Sequence, residues 1–79
     1  MITCIVSSPQ NTDTYNDLKS IFLPSYSGQT QILPGHAEGF FKLTEGDMLL
    51  EHTNDSKKTI NIKEAECYIN EDTVTIILD

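Results

Sequence analysis

The chain contains no arginine and no tryptophan, and its five lysines face twelve acidic residues, giving a net charge of −7. Neutralising nucleic-acid phosphates needs a concentrated basic face, so the composition excludes nucleic acid as a partner and equally disfavours an acidic one. Apolar runs are short throughout. None approaches the roughly 18 residues needed to cross a bilayer, which argues against direct membrane insertion. Two cysteines, Cys4 and Cys67, are too few for a disulfide framework and stand at no metal-ligand spacing; they read as reduced, buried core residues. The opening Met1-Ile2-Thr3-Cys4-Ile5-Val6 carries no basic leader, and Ser7-Ser8-Pro9 ends its apolar run too early for a signal peptide. A cytoplasmic location is the expectation.

What is present reads as one domain over residues 1–79. A chain of this size buries only about 60% of its unfolded surface, so its core is thin. Hydrophobic residues at 38% and charged residues at 22% are ordinary for a folded soluble domain. The dominant pattern has period two. Met48, Leu50 and His52 alternate with Leu49 and Glu51; Ile60 and Ile62 with Thr59, Asn61 and Lys63; Val74, Ile76 and Leu78 with Thr73, Thr75 and Ile77. Turn-forming residues punctuate the chain at Ser27-Gly28, Pro34-Gly35, Glu45-Gly46, Thr53 to Lys58 and Asn70-Glu71-Asp72. Thr14 to Lys19 offers at most one helical turn with a poor apolar stripe, and reads as extended. These features predict an all-β, antiparallel sandwich or barrel.

Candidate chemistry is sparse. His36 follows Pro34-Gly35 in the stretch ILPGHA, where a titratable ring on a tight turn could act as a base or ligand. It has no local company: His52 is remote in sequence, Glu38 forms no recognised metal spacing with it, and no HExxH or C-x-x-C occurs. Ser7-Ser8 and Ser25-Tyr26-Ser27-Gly28 lack the frame of a nucleophile elbow. Gly28, Gly35, Gly39 and Gly46 cluster into no phosphate loop and read as backbone devices. Acidic pairs such as Glu45/Asp47, Glu64/Glu66 and Glu71/Asp72 read as solvated edges that discourage aggregation rather than as acid–base pairs. Phe40-Phe41 is the one interface signal. Adjacent aromatics on a strand face opposite sides, so one enters the core and the other waits near the surface for a cover. The residues alone therefore lead to a small β-sandwich that binds another protein.

The order of Ile21-Phe22-Leu23-Pro24-Ser25, then Gly28-Gln29-Thr30-Gln31-Ile32-Leu33-Pro34-Gly35-His36-Ala37, then Leu43-Thr44-Glu45-Gly46-Asp47-Met48 resembles the N-terminal β-domain of the epsilon subunit of bacterial F-type ATP synthase, which is delta in mitochondria. That family carries a "GELGILPGHAP"-like loop and an "L.PG.v.v" turn. Val6-Ser7-Ser8-Pro9 with Tyr15, and Asn70 to Leu78, are similar to its opening and closing segments. The resemblance implies a flattened antiparallel sandwich of roughly ten short strands. It further implies a non-catalytic rotor subunit without cofactor or metal, monomeric when isolated and peripheral on the cytoplasmic face of the inner membrane. Such a subunit joins the gamma subunit to the c-ring and couples proton flow to ATP synthesis. Carried over residue by residue, Ser8, His36, Phe40 and Phe41 would face gamma, Gly28, Gln29, Thr30, Gln31 and Ile32 would face the c-ring, and Pro34 and Gly35 would shape the loop.

Departures from the pattern bear on these expectations. Gln29 and Thr30 replace the acidic-apolar pair of "GELG", Glu38 stands where proline follows His-Ala, and Lys63-Glu64-Ala65-Glu66 replaces a glycine-containing segment. The family's C-terminal helical hairpin has no counterpart in the 79 residues, so neither inhibition of hydrolysis nor nucleotide binding is carried over. Two other readings compete: a stand-alone binding module of the same fold, and a small hydrolase or metal protein built around His36 and His52.

Overall fold

Period-two apolar patterning makes strands, and a computed structural model, describing residues 1–78, contains eight of them and no helix. They are β1 (Ile2–Ser7), β2 (Thr12–Ser25), β3 (Gly28–Ile32), β4 (Gly39–Leu43), β5 (Gly46–His52), β6 (Lys57–Ile62), β7 (Ala65–Asn70) and β8 (Thr73–Leu78). Two sets of pairings emerge. The first half of β2 lies beside β1, followed by β8, β7 and β4; the second half of β2 lies between β3 and β5, with β6 beyond. The long β2 thus belongs to both sets, and a single Ser25–Leu43 pairing joins them again at its far end.

The bend in β2 has a local cause. Asp17 adopts φ +59°, the β1–β2 register slips between Cys4/Tyr15 and Ile2/Leu18, and the β2–β5 register slips between Leu18 and Ser20. Bulges of this kind add twist and let one strand turn a corner between sheets. Their effect on the side chains is visible in the burial: Leu18 and Ser20 point inward, then parity switches and Ile21, Leu23 and Ser25 do so. The bulge at Asp17, between inward Tyr15 and Leu18, is why Thr14 to Lys19 shows no clean alternation. It also corrects the expected count of roughly ten strands, because one 14-residue strand serves both layers.

A second correction concerns direction. All pairings are antiparallel except β1 with β8, which run parallel from Thr3/Thr73 to Ser7/Ile77. Nothing in a period-two pattern distinguishes the two arrangements, since both alternate side chains across the faces.

Sixteen buried apolar residues fill the interior, among them Ile2, Cys4, Leu18, Ile21, Leu23, Ile32, Met48, Leu50, Cys67, Val74 and Ile76. Tyr15, Phe41, Ile60 and Leu78 close its rim. Buried polar side chains are satisfied: Ser20 Oγ donates to Glu51 Oε1 at 2.9 Å, and Ser25 Oγ donates to the Gly28 carbonyl at 2.6 Å. Both cysteines are free and buried. Burial, with the neighbouring Cys67 thiol as a smaller cause, pushes the Cys4 thiol up to about 12, and burial pushes Cys67 up to about 12.

Candidate functional site

The ILPGHA loop is built on a turn whose residues match its geometry. His36 N–H donates to the Leu33 carbonyl at 3.1 Å, closing a four-residue turn with Pro34 and Gly35 at its centre. Gly35 has φ +83° with open space around the position a Cβ would take. Proline at the first central position and glycine at positive φ in the second define a type II turn. The His36 ring then folds back. Its Nδ1 lies 2.8 Å from the Ala37 carbonyl oxygen, which can only accept, so Nδ1 carries the proton. The ring meets Phe41 edge-on at 6.1 Å between centroids. Imidazole so engaged is a packed loop element with its Nε2 left over.

The aromatic pair divides as adjacent strand residues must. Phe41 is half-buried against the core, whereas Phe40, 50% exposed, stacks on Tyr68 of β7 at 4.9 Å. Register carries this outward row across the sheet from Phe40 through Tyr68, Thr75 and Ile5 to Thr14. Ile77, also exposed, lies one outward position further along β8. Ile77 is set opposite Val74, Ile76 and Leu78 by the alternation of its own strand, whereas Tyr68 and Ile5 have no sequence signal of their own, because which outward residues lie side by side is unknown until the register is.

Ser8 stands apart from this loop. It begins the β1–β2 turn, where Ser8 N–H donates to the Asn11 carbonyl at 2.8 Å. Parallel pairing puts that end of β1 beside Ile77, while the opposite end lies beside the Glu71-Asp72 turn that meets Gly35. A surface using both Ser8 and His36 therefore runs the length of the strands, about 17 Å for five residues.

Gly28, Gln29, Thr30, Gln31 and Ile32 form β3, which is paired on one side by β2. Gln29 and Gln31 point out. Thr30 Oγ1 lies 3.1 Å from Ser25 Oγ, and Ile32 is 1% exposed within the core. Gly28, the two glutamines and the strand's free backbone edge are exposed, Thr30 is half-buried, and Ile32 alone is closed off. Gly28, with φ +113°, ends the Ser25-Tyr26-Ser27-Gly28 turn, from which Tyr26 projects to donate its hydroxyl to Glu64 Oε2 at 2.9 Å. That bond raises the Tyr26 pKa, the carboxylate's charge adding to the effect.

Among the described residues, no three His, Cys, Asp or Glu side chains gather into a group able to hold a metal. The concavities around Tyr26, Lys42, Glu64 and Lys63 are open and edged by charged side chains. Little here resembles an apolar, enclosing pocket with converging polar groups.

These features define a small β-sandwich with a shaped loop and an apolar outer row. Comparison with known families gives the class a name: residues 1–79 match the model of the ATP synthase, Delta/Epsilon chain, beta-sandwich domain, and the chain belongs to that family. Among solved structures it is similar to a chain in the Euglena gracilis mitochondrial ATP synthase (OSCP/F1/c-ring, rotational state 1), with 18% identity and a TM-score of 0.89 over 98% of this chain and 49% of that one. A chain in the Tetrahymena thermophila mitochondrial ATP synthase central stalk and c-ring is similar at 9% identity and a TM-score of 0.80, over 99% of this chain and 63% of that one. At such identities the likeness is one of fold, and the 79 residues span about half to under two thirds of those chains' lengths. No curated protein sequence matches.

Proposed function

We propose that this chain serves as the β-sandwich part of a central-stalk subunit of a proton-translocating F-type ATP synthase, joining the gamma subunit to the c-ring. The observation that carries the reading is the family match across all 79 residues. Two features support it: a preformed loop at His36 and an outward apolar row at Phe40 and Tyr68, both suited to protein contact. In this reading the subunit is a coupling element and not a catalyst. Torque passes only if gamma, this subunit and the ring turn as one body, which favours several distributed contacts over one exposed ion pair. Gamma would lie along the face that includes Phe40 and the His36 loop, with Ser8 at its far end. The ring would meet Gln29, Gln31 and the free edge of β3. The subunit would sit peripherally, on the side of the membrane that carries the catalytic head, which is the cytoplasmic face in a bacterium.

A pull-down against the gamma subunit from the same source tests this. The variants of choice are Phe40→Ala and His36→Ala, since Phe41 packs against the core and its loss would confound folding with binding. Stable wild-type binding, weakened by at least about tenfold in a folded Phe40→Ala variant, is the expected result for a central aromatic contact. Absence of binding by folded wild-type protein would refute the reading and favour a stand-alone module.

A further inference from the structure

The turn between β7 and β8 combines two features that do not belong together by local preference alone. Glu71 and Asp72 both take positive φ, +49° and +61°, as the central pair of a two-residue hairpin. Asn-Gly is the favoured pair for this type I′ geometry, and Glu is poorly suited to it. Asp72 reaches beyond its own hairpin. Its Oδ1 accepts the Gly35 N–H at 2.7 Å, across 37 positions of sequence, and its carbonyl accepts the Thr3 N–H at 3.0 Å. One residue thus gathers the start of β1, the β7–β8 hairpin and the centre of the ILPGHA turn.

The Gly35 N–H is the group most in need of such a partner. In a type II turn the Leu33 carbonyl is taken by His36 N–H, so the central Gly35 amide points away from the turn's own bond. A carboxylate acceptor at 2.7 Å is a charge-assisted bond, stronger than a neutral one. We infer that Asp72 is a positioning residue: its carboxylate holds the Leu33–His36 turn in one orientation against the β7–β8 hairpin, so that the loop is set before any partner arrives. Glycine or asparagine would each relieve the backbone at this position, but only asparagine retains a side-chain oxygen to receive Gly35. For the gamma contact the consequence rests on the function proposed above. A loop already ordered loses less conformational freedom on binding.

The test compares wild-type protein with Asp72→Gly and Asp72→Asn, both of which accept positive φ. Amide hydrogen exchange at Gly35 and His36 is followed by NMR, with Tyr68 and Thr75, a hydrogen-bonded pair of the ladder, as internal controls for the hairpin. Asp72→Gly is expected to speed Gly35 exchange by roughly tenfold or more, the factor a hydrogen bond to a charged group supports. Asp72→Asn, which keeps an acceptor but loses the charge, is expected to fall between wild type and Asp72→Gly, about fivefold faster than wild type or less, with the hairpin amides unchanged in both variants. Gly35 exchange unaltered in Asp72→Gly, or altered equally in both variants, would overturn the assignment. Affinity for gamma is measured in parallel. A wild-type protein that does not bind gamma would refute the proposed function while leaving the exchange result to decide the role of Asp72.

Discussion

At Gly35, substitution tests conformation and little else. A Cβ there would meet nothing within 4 Å, so the cost of Gly35→Val comes from placing a β-branched residue at φ +83°. It should lose about 1–3 kcal/mol, against less than about 1 kcal/mol for His36→Ala, whose ring is only half-buried. Urea unfolding of the two variants checks this, and equal losses would count against the turn as described. The thiols make a second test at this scale. With both held up to about 12 by burial, they should react with a thiol reagent at pH 8 only after denaturation; rapid labelling of native protein would contradict their placement. The sign of the pH effect follows. An unfolded thiol ionises near 9 and the folded one near 12, so stability is intact below about 9 and is lost as pH rises toward 12. Thermal melts between pH 8 and 11 should fall progressively for the wild type, and less steeply for Cys67→Ala.

Among elements, the β7–β8 hairpin and the junction of β2 with β5 offer contrasting cases. Glu71 is exposed at φ +49°, so Glu71→Asn should stabilise the protein by about 0.5–1 kcal/mol through better fit to the left-handed region. A rise in melting temperature checks it, and a fall would show that Glu71 makes contacts of its own. Gly46, at the start of β5, is limited by both conformation and space. Its φ of +159° is one that L residues rarely adopt, and an added Cβ would lie 3.0 Å from Pro24 Cβ and 3.3 Å from Pro24 Cγ. Gly46→Ala should therefore cost about 1–3 kcal/mol through backbone strain and crowding of β2 against β5. The Glu45-Gly46 turn was visible in the sequence, but the reason for its glycine was not, because Pro24 lies far away along the chain.

For the molecule as a whole, charge is a mild burden. The net charge is −7; the ion pairs Lys19–Asp55 and Lys63–Glu45 lie at the surface, and Lys57–Glu51, at 4.0 Å, joins an exposed lysine to a half-buried glutamate. Exposed pairs contribute little, while self-repulsion at this net charge opposes compaction. Added sodium chloride, up to 0.5 M or so, a level that shortens the screening length to a few ångströms, should leave the melting temperature unchanged or raise it. A marked fall would mean that the ion pairs stabilise more than their exposure suggests. The same composition that argued against nucleic acid thus sets how the fold responds to salt.

The alternation of Met48/Leu50, Ile60/Ile62 and Val74/Ile76, with turns between them, determined an all-β fold, because side-chain period depends on backbone geometry within one strand. The stretch Pro34-Gly35 likewise determined its turn, since both residues act through their own φ. Three matters were left to tertiary structure. The bulge at Asp17 lets β2 serve two layers, β1 runs parallel to β8, and Asp72 reaches the Gly35 amide. Each depends on which strands lie side by side, and a pattern read along one strand carries no information about its neighbours. The outer row from Phe40 to Ile5 has the same origin: Phe40 stood out beside Phe41, but Tyr68, Thr75 and Ile5 join it in one surface only once register aligns them.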